Sequence, residues 1–135
     1  MLDTSALLDA ATGRTQYLRA LMIAAAELGT TLAVPAAAWA EAWALAPQEA
    51  LASLSLLGDH PQAVHVDLDG DGAGGAHGAQ AVGLLARDVH DRGLPWTVRT
   101  GHVAAVALER GWPVVTTDPH PVLSVHPDLD VEHLP

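Results

Sequence analysis

The feature that most constrains this chain is an alternation. Short apolar runs are separated by longer stretches in which apolar residues recur at helical spacing. Met1 to Asp3 reads as the end of a buried strand, and Thr31 to Val34, Ala63 to Asp67 and Pro113 to Thr117 read as further strands, with Leu129 to Glu132 as a final edge strand. Helices are expected at Ala6 to Ala11, Thr15 to Leu28, Ala36 to Ala46, after Pro47 as far as Gly58, around Val82 to Val89, and at Val98 to Arg110. Strands that alternate with helices build a parallel sheet with helices on both faces. The punctuation agrees: Gly29 suits a helix C-cap, Gly58, Gly93 and Gly111 are stop signals, and Pro35 suits a first helical turn, where its missing N–H would be an orphan donor.

The 135 residues suit a single domain spanning 1–135 that is long enough to bury a core. Half the residues are hydrophobic, yet phenylalanine is absent and tyrosine occurs once, so alanine, leucine and valine must fill the interior with four tryptophans. Small side chains of that kind favour closely packed helices. With no cysteine, disulfides, thiolate metal sites and cysteine nucleophiles are all excluded. Arg14, Arg19 and Glu27 interrupt the most apolar N-terminal segment, so neither a signal sequence nor a membrane association is expected, and a cytoplasmic location is.

Three apolar runs lead to an acid. Asp3 closes the first, Glu41 lies in the helix that follows Leu32 to Val34, and Asp118 follows Pro113 to Thr117. In open α/β sheets the crevice lies beyond the carboxyl ends of the strands, so acids far apart in sequence can meet there. Each acid also has a simpler reading. Asp3, with Thr4 and Ser5, could cap a helix; Asp118 before Pro119 could be a turn residue; Thr116 could be an ordinary strand residue. Glu41, among alanines and tryptophans, needs either solvent or a partner, because burying it unpaired costs several kcal/mol.

LDTSALL, PAAAWAEAW and VAAVALERGWPVVTTDP resemble, in order and spacing, the motifs of the PIN domains, which include the VapC-type toxins of toxin–antitoxin pairs. The resemblance runs from Met1 to about Asp130. It implies a three-layer α/β/α fold around a parallel sheet of five strands in the order 3-2-1-4-5, and a metal-dependent ribonuclease that hydrolyses RNA phosphodiester bonds with a metal-activated water. It also implies Mg²⁺ or Mn²⁺ held by Asp3 and Asp118, Glu41 holding the ion or orienting the water, and Thr116 hydrogen-bonding nearby with Ser5 in support. A protein antitoxin and a homodimer complete the expected partners. One position departs: Thr100 stands where the family has an Asp. A PIN-fold protein that has lost cleavage and acts through protein or RNA binding is therefore the alternative.

Other features weigh on these readings. A net charge of −10 with no lysine opposes RNA binding, which normally draws on phosphate neutralisation by basic residues, although bound divalent ions reverse the local field. Asp88, His90, Asp91 and His102 are possible substitutes for the missing acid, with solvated helix positions as the simpler reading. The loop from Asp67 imitates a calcium-binding EF-hand at Asp67, Asp69, Asp71 and Gly72, then fails at Gly74 and Gly78. His120, His126 and His133 lack metal-ligand spacing, and Trp39, Trp43, Trp96 and Trp112 read as core or interface anchors before base-stacking platforms. Tyr17, Leu21, Leu54 and Leu57 are candidates for an exposed apolar surface on the early helices.

Overall fold

The structure is a computed structural model in which residues 1–68 and 78–135 are described. Its helices are α1 (Thr4–Thr12), α2 (Tyr17–Leu28), α3 (Ala36–Leu45), α4 (Leu51–Gly58), α5 (Ala79–Asp91), α6 (Val98–Arg110) and α7 (His120–Val125), with a single 3₁₀ turn at Gln48–Ala50 before α4. The strands are β1 (Leu32–Pro35), β2 (Ala63–Val66), β3 (Val114–Thr116) and β4 (Val131–His133).

The expected five-stranded sheet in the order 3-2-1-4-5 is not what forms. The described residues make two separate two-stranded parallel sheets, β1 with β2 and β3 with β4, in a structure that is mostly helical. The cause lies at the first segment. Asp3 is already the N-cap of α1, and Leu2 makes an isolated parallel bridge with Val115 rather than a strand ladder. The segment still hydrogen-bonds to both sides, with Leu2 N–H donating to Ala33 O at 2.9 Å and Val115 N–H donating to Met1 O at 2.7 Å. The EF-hand positions Asp69, Asp71, Gly72 and Gly74 lie outside the described residues; Asp67 is exposed, and Gly78 is the N-cap of α5.

The core is built as the composition requires. Leu2, Leu7, Leu18, Leu54, Val34, Val103, Val106 and Val114 are fully buried, and alanines 6, 33, 38 and 42 let the helices approach. Leu54 and Leu57 belong to this core, which removes them from the exposed face expected of the early helices. Leu21 packs against the same core, and the Tyr17 hydroxyl donates to the Glu132 carboxylate, tying α2 to β4.

Helix α6 is the central element, buried without interruption from Thr100 to Ala107. A Cβ on Gly101 would sit 2.9 Å from Val82 Cγ1, so glycine permits the approach of α5. His102 is also fully buried. Helix α3 starts at Pro35, which offers no side-chain cap, and His102 Nδ1 lies 3.4 Å from the Ala37 N–H as a long-range substitute for one. Trp39 packs edge-on to Trp43 and His65, while Trp43, Trp96 and Trp112 are about two-fifths exposed. The Arg110 guanidinium lies over the Trp112 ring at 5.8 Å, so that face is occupied by a cation.

Candidate functional site

Where the Met1–Asp3 segment and β3 end side by side, Asp3 is buried to within 2% of its surface. Its Oδ1 accepts from the Ala6 N–H at 2.9 Å, the capping bond that starts α1, and from the Ser5 hydroxyl at 2.8 Å. Its Oδ2 accepts from the Thr116 hydroxyl at 2.7 Å. Capping and the site reading are therefore not alternatives for Asp3; the same carboxylate starts a helix and joins two chain segments 113 residues apart.

A hydroxyl has one proton, and the Thr116 hydroxyl has two acceptors within reach, Asp3 Oδ2 at 2.7 Å and Asp118 O at 3.0 Å; the shorter contact is to Asp3, while the Thr116 oxygen receives the Asp118 N–H at 3.1 Å. Ser5 likewise donates to Asp3 and receives the Thr117 N–H at 2.8 Å. The 3.0 Å separation of the Ser5 and Thr116 hydroxyls then brings two oxygens close without needing a third proton. Thus Asp3, Ser5, Thr116 and the Thr117–Asp118 main chain form one connected group. Beside it, the Met1 ammonium donates to Pro113 O at 2.8 Å, and burial lowers its pKa from 8.0 to about 6, with the Glu132 charge partly opposing.

Asp118 brings its main chain to this group, but its side chain turns to its own loop. Its Oδ1 accepts from the His120 N–H at 3.3 Å, the Asx-type turn that Asp-Pro suggests. The residue is exposed.

Glu41 stands on α3, whose start is docked to α1 through the Thr4 hydroxyl, 3.1 Å from Ala38 O. Its carboxylate is committed elsewhere. Arg99 Nε lies 2.7 Å from Glu41 Oε2, with the two side chains about one-quarter and one-third exposed. Thr100 is likewise engaged: its hydroxyl donates to Thr97 O at 2.9 Å and accepts from the Thr97 N–H at 3.0 Å, while the Thr97 hydroxyl receives the Thr100 N–H. This reciprocal capping box accounts for the Thr100 hydroxyl in local terms, as the start of α6. Asp88 pairs with Arg92 at 3.0 Å and His90 with Asp91 at 3.5 Å on the α5 surface, so they act within that helix.

Sequence reasoning missed two residues. Arg99 was signalled by Glu41 itself, because a carboxylate in an apolar helix calls for a cation and the chain has only six, all arginine. Asp9, on α1, is 3% exposed with the Thr15 hydroxyl donating to its Oδ2 at 2.6 Å. Its signal was an acid in the otherwise apolar ALLDAA.

The fit of a divalent ion divides along these lines. Mg²⁺ commonly takes one or two carboxylates and completes its shell with water and substrate phosphate. Asp3 retains lone pairs beyond its three hydrogen bonds and Asp118 is open to solvent, so each offers oxygen of the kind such an ion takes, with the Asp118 side chain turned to its own loop. Glu41 has one oxygen, Oε2, engaged by Arg99. Among the described residues no three acids or histidines come together as a ready-made metal cage. No helix of the described residues is long and apolar enough to cross a membrane. No family model matches the chain, and neither a curated protein nor a solved structure matches it.

Proposed function

We propose that the chain is a PIN-like, Mg²⁺- or Mn²⁺-dependent ribonuclease of the VapC toxin type, acting in the cytoplasm. The observation that carries this reading is the Thr116 hydroxyl, which joins the Asp3 carboxylate to the main chain of Asp118. Two acids from opposite ends of the sequence thereby belong to one edge, as hydrolysis of a phosphodiester requires. Asp3 and Asp118 would hold the ion, whose chemistry when bound is to lower the pKa of a water and to offset charge on the phosphoryl oxygens. The chain's own residues do the positioning. Thr116 and Ser5 fix the rotamer of Asp3, and their oxygens receive the main-chain N–H groups of Thr117 and Asp118, which holds the loop at the end of β3 against the start of α1.

The Glu41–Arg99 ion pair and the closed Thr100 cap favour a second reading, a PIN-like protein that binds without cutting. An RNA cleavage assay separates the two. Cleavage that needs Mn²⁺, stops with EDTA and is lost in Asp118→Asn supports the enzyme; RNA retention without cleavage in Mn²⁺ supports the binding protein. An antitoxin or a second copy of the chain is the expected protein partner of either form, and Ile23, Leu28 and Leu56, each more than half exposed, would be covered by it.

A further inference from the structure

Helices α2 and α4 both pack against α1, and the residues they leave uncovered there, Ala10 and Gly13, are too small to fill the space between them. A cavity of about 570 Å³ remains, inside the range of roughly 300–1,000 Å³ of small-molecule sites. None of Asp3, Ser5, Thr116 and Asp118 lines it, so what it binds is independent of the chemistry proposed for that corner.

The lining combines an apolar wall with cations. Met22, Leu56 and Leu57 supply the wall. The ionisable groups among the described lining residues are Arg19 and His60, in a chain whose acids outnumber its arginines 16 to 6. Arg19 is exposed and, unlike Arg92 and Arg99, has no ion-pair partner among the described residues. Its guanidinium is a planar fork that matches a carboxylate. His60 Nδ1 accepts the Gln62 N–H at 3.3 Å, which puts the proton of the neutral ring on Nε2 and makes that atom a donor. A purely apolar occupant would leave the guanidinium without a partner, and a cationic one would be repelled by it. A sugar would set hydroxyls against the leucines. What remains is an anionic head on a hydrocarbon body.

We propose that this cavity binds a small amphipathic carboxylic acid, its carboxylate on Arg19 and His60 and its hydrocarbon body on Met22, Leu56 and Leu57.

The test is a titration of the full chain with octanoate, 1-octanol and octylamine, which share one tail and differ in the charge of the head, followed by amide chemical shifts. Octanoate should saturate and bind about threefold tighter than octanol, the scale of one exposed ion pair, with octylamine weakest. The shifts should centre on Arg19, Met22, Leu56 and His60. Arg19→Glu should reverse the order and favour octylamine over octanoate, which a loss of folding would not do. Leu56→Gln, at a position 72% exposed, should weaken octanoate and octanol alike. Equal binding of octanoate and octanol to the parent chain, no saturable binding, shifts centred elsewhere, or an order unchanged in Arg19→Glu would overturn the site. RNA cleavage reads the Asp3 corner alone, so either proposal can fail without the other.

Discussion

Asp3 and Glu41 are both carboxylates set in apolar surroundings, and the chain satisfies them in opposite ways. Asp3 is surrounded by two hydroxyls and a backbone N–H, neutral dipoles that hold the group in place. Glu41 faces a guanidinium, which cancels its charge. The ion pairs found among the described residues involve neither Asp3 nor Asp118. Among the described residues, a cation therefore faces Glu41 and none faces Asp3, whose partners are neutral donors. Having an acid at the right place in a sequence motif is not enough; what else reaches that acid decides whether a metal can use it.

The largest effect expected from breaking this contrast is at Asp3. Asp3→Ala removes the α1 cap and leaves the Ser5 and Thr116 hydroxyls and the Ala6 N–H without their acceptor. A loss of about 2–4 kcal/mol is expected in urea unfolding, from a cap and a buried network together. Thr116→Val keeps the shape of the side chain and removes only the hydroxyl, so the loss should be about 1–3 kcal/mol, the penalty for an acceptor and a donor left unpaired. A Thr116→Val protein as stable as the parent would show that the corner is not held by this bond.

On the other side the expected effects are smaller. Thr100→Ala opens the α6 capping box and should cost about 1 kcal/mol by thermal or urea unfolding. Arg99→Gln should cost no more than about 1 kcal/mol, since the pair is partly exposed and solvent screens it. Added salt should shrink the Arg99→Gln effect and leave that of Thr116→Val in place. If Arg99→Gln were the more damaging change, the ranking of the two sides would be reversed.

The helices were legible because their signals are local. Gly29 and Gly111 end α2 and α6 in left-handed conformations, and Pro35 and Pro47 sit next to helix starts, close to where the sequence puts them. Strand positions were legible too, because short β-branched runs mark them, but pairing is not a local property. The continuous sheet failed at Met1–Asp3, where the helix claims Asp3 as its cap and Leu2 makes an isolated bridge with Val115 in place of a ladder. The site divided in the same way. Asp3, Ser5 and Thr116 could be picked from two motifs and do meet, whereas the partner of Glu41 comes from a third segment: Glu41 signals that a cation is needed, and nothing near it in sequence says which of the six arginines supplies it. Leu54 and Leu57 were misread for a related reason: a helical stripe shows that one face is apolar and does not show what covers it.

The most direct measurement of the contrast is the rise in melting temperature with millimolar Mn²⁺, taken for the parent chain, Asp3→Asn, Asp118→Asn and Glu41→Gln side by side. Binding to the folded state alone raises stability by linkage, so the shift reads out the metal site without reference to RNA. The parent should rise, the two Asp variants should lose most of that rise, and Glu41→Gln should keep it, because Arg99 and not the ion is that carboxylate's partner. A parent that does not respond, or a Glu41→Gln variant that loses the response as fully as Asp3→Asn, would contradict the assignment.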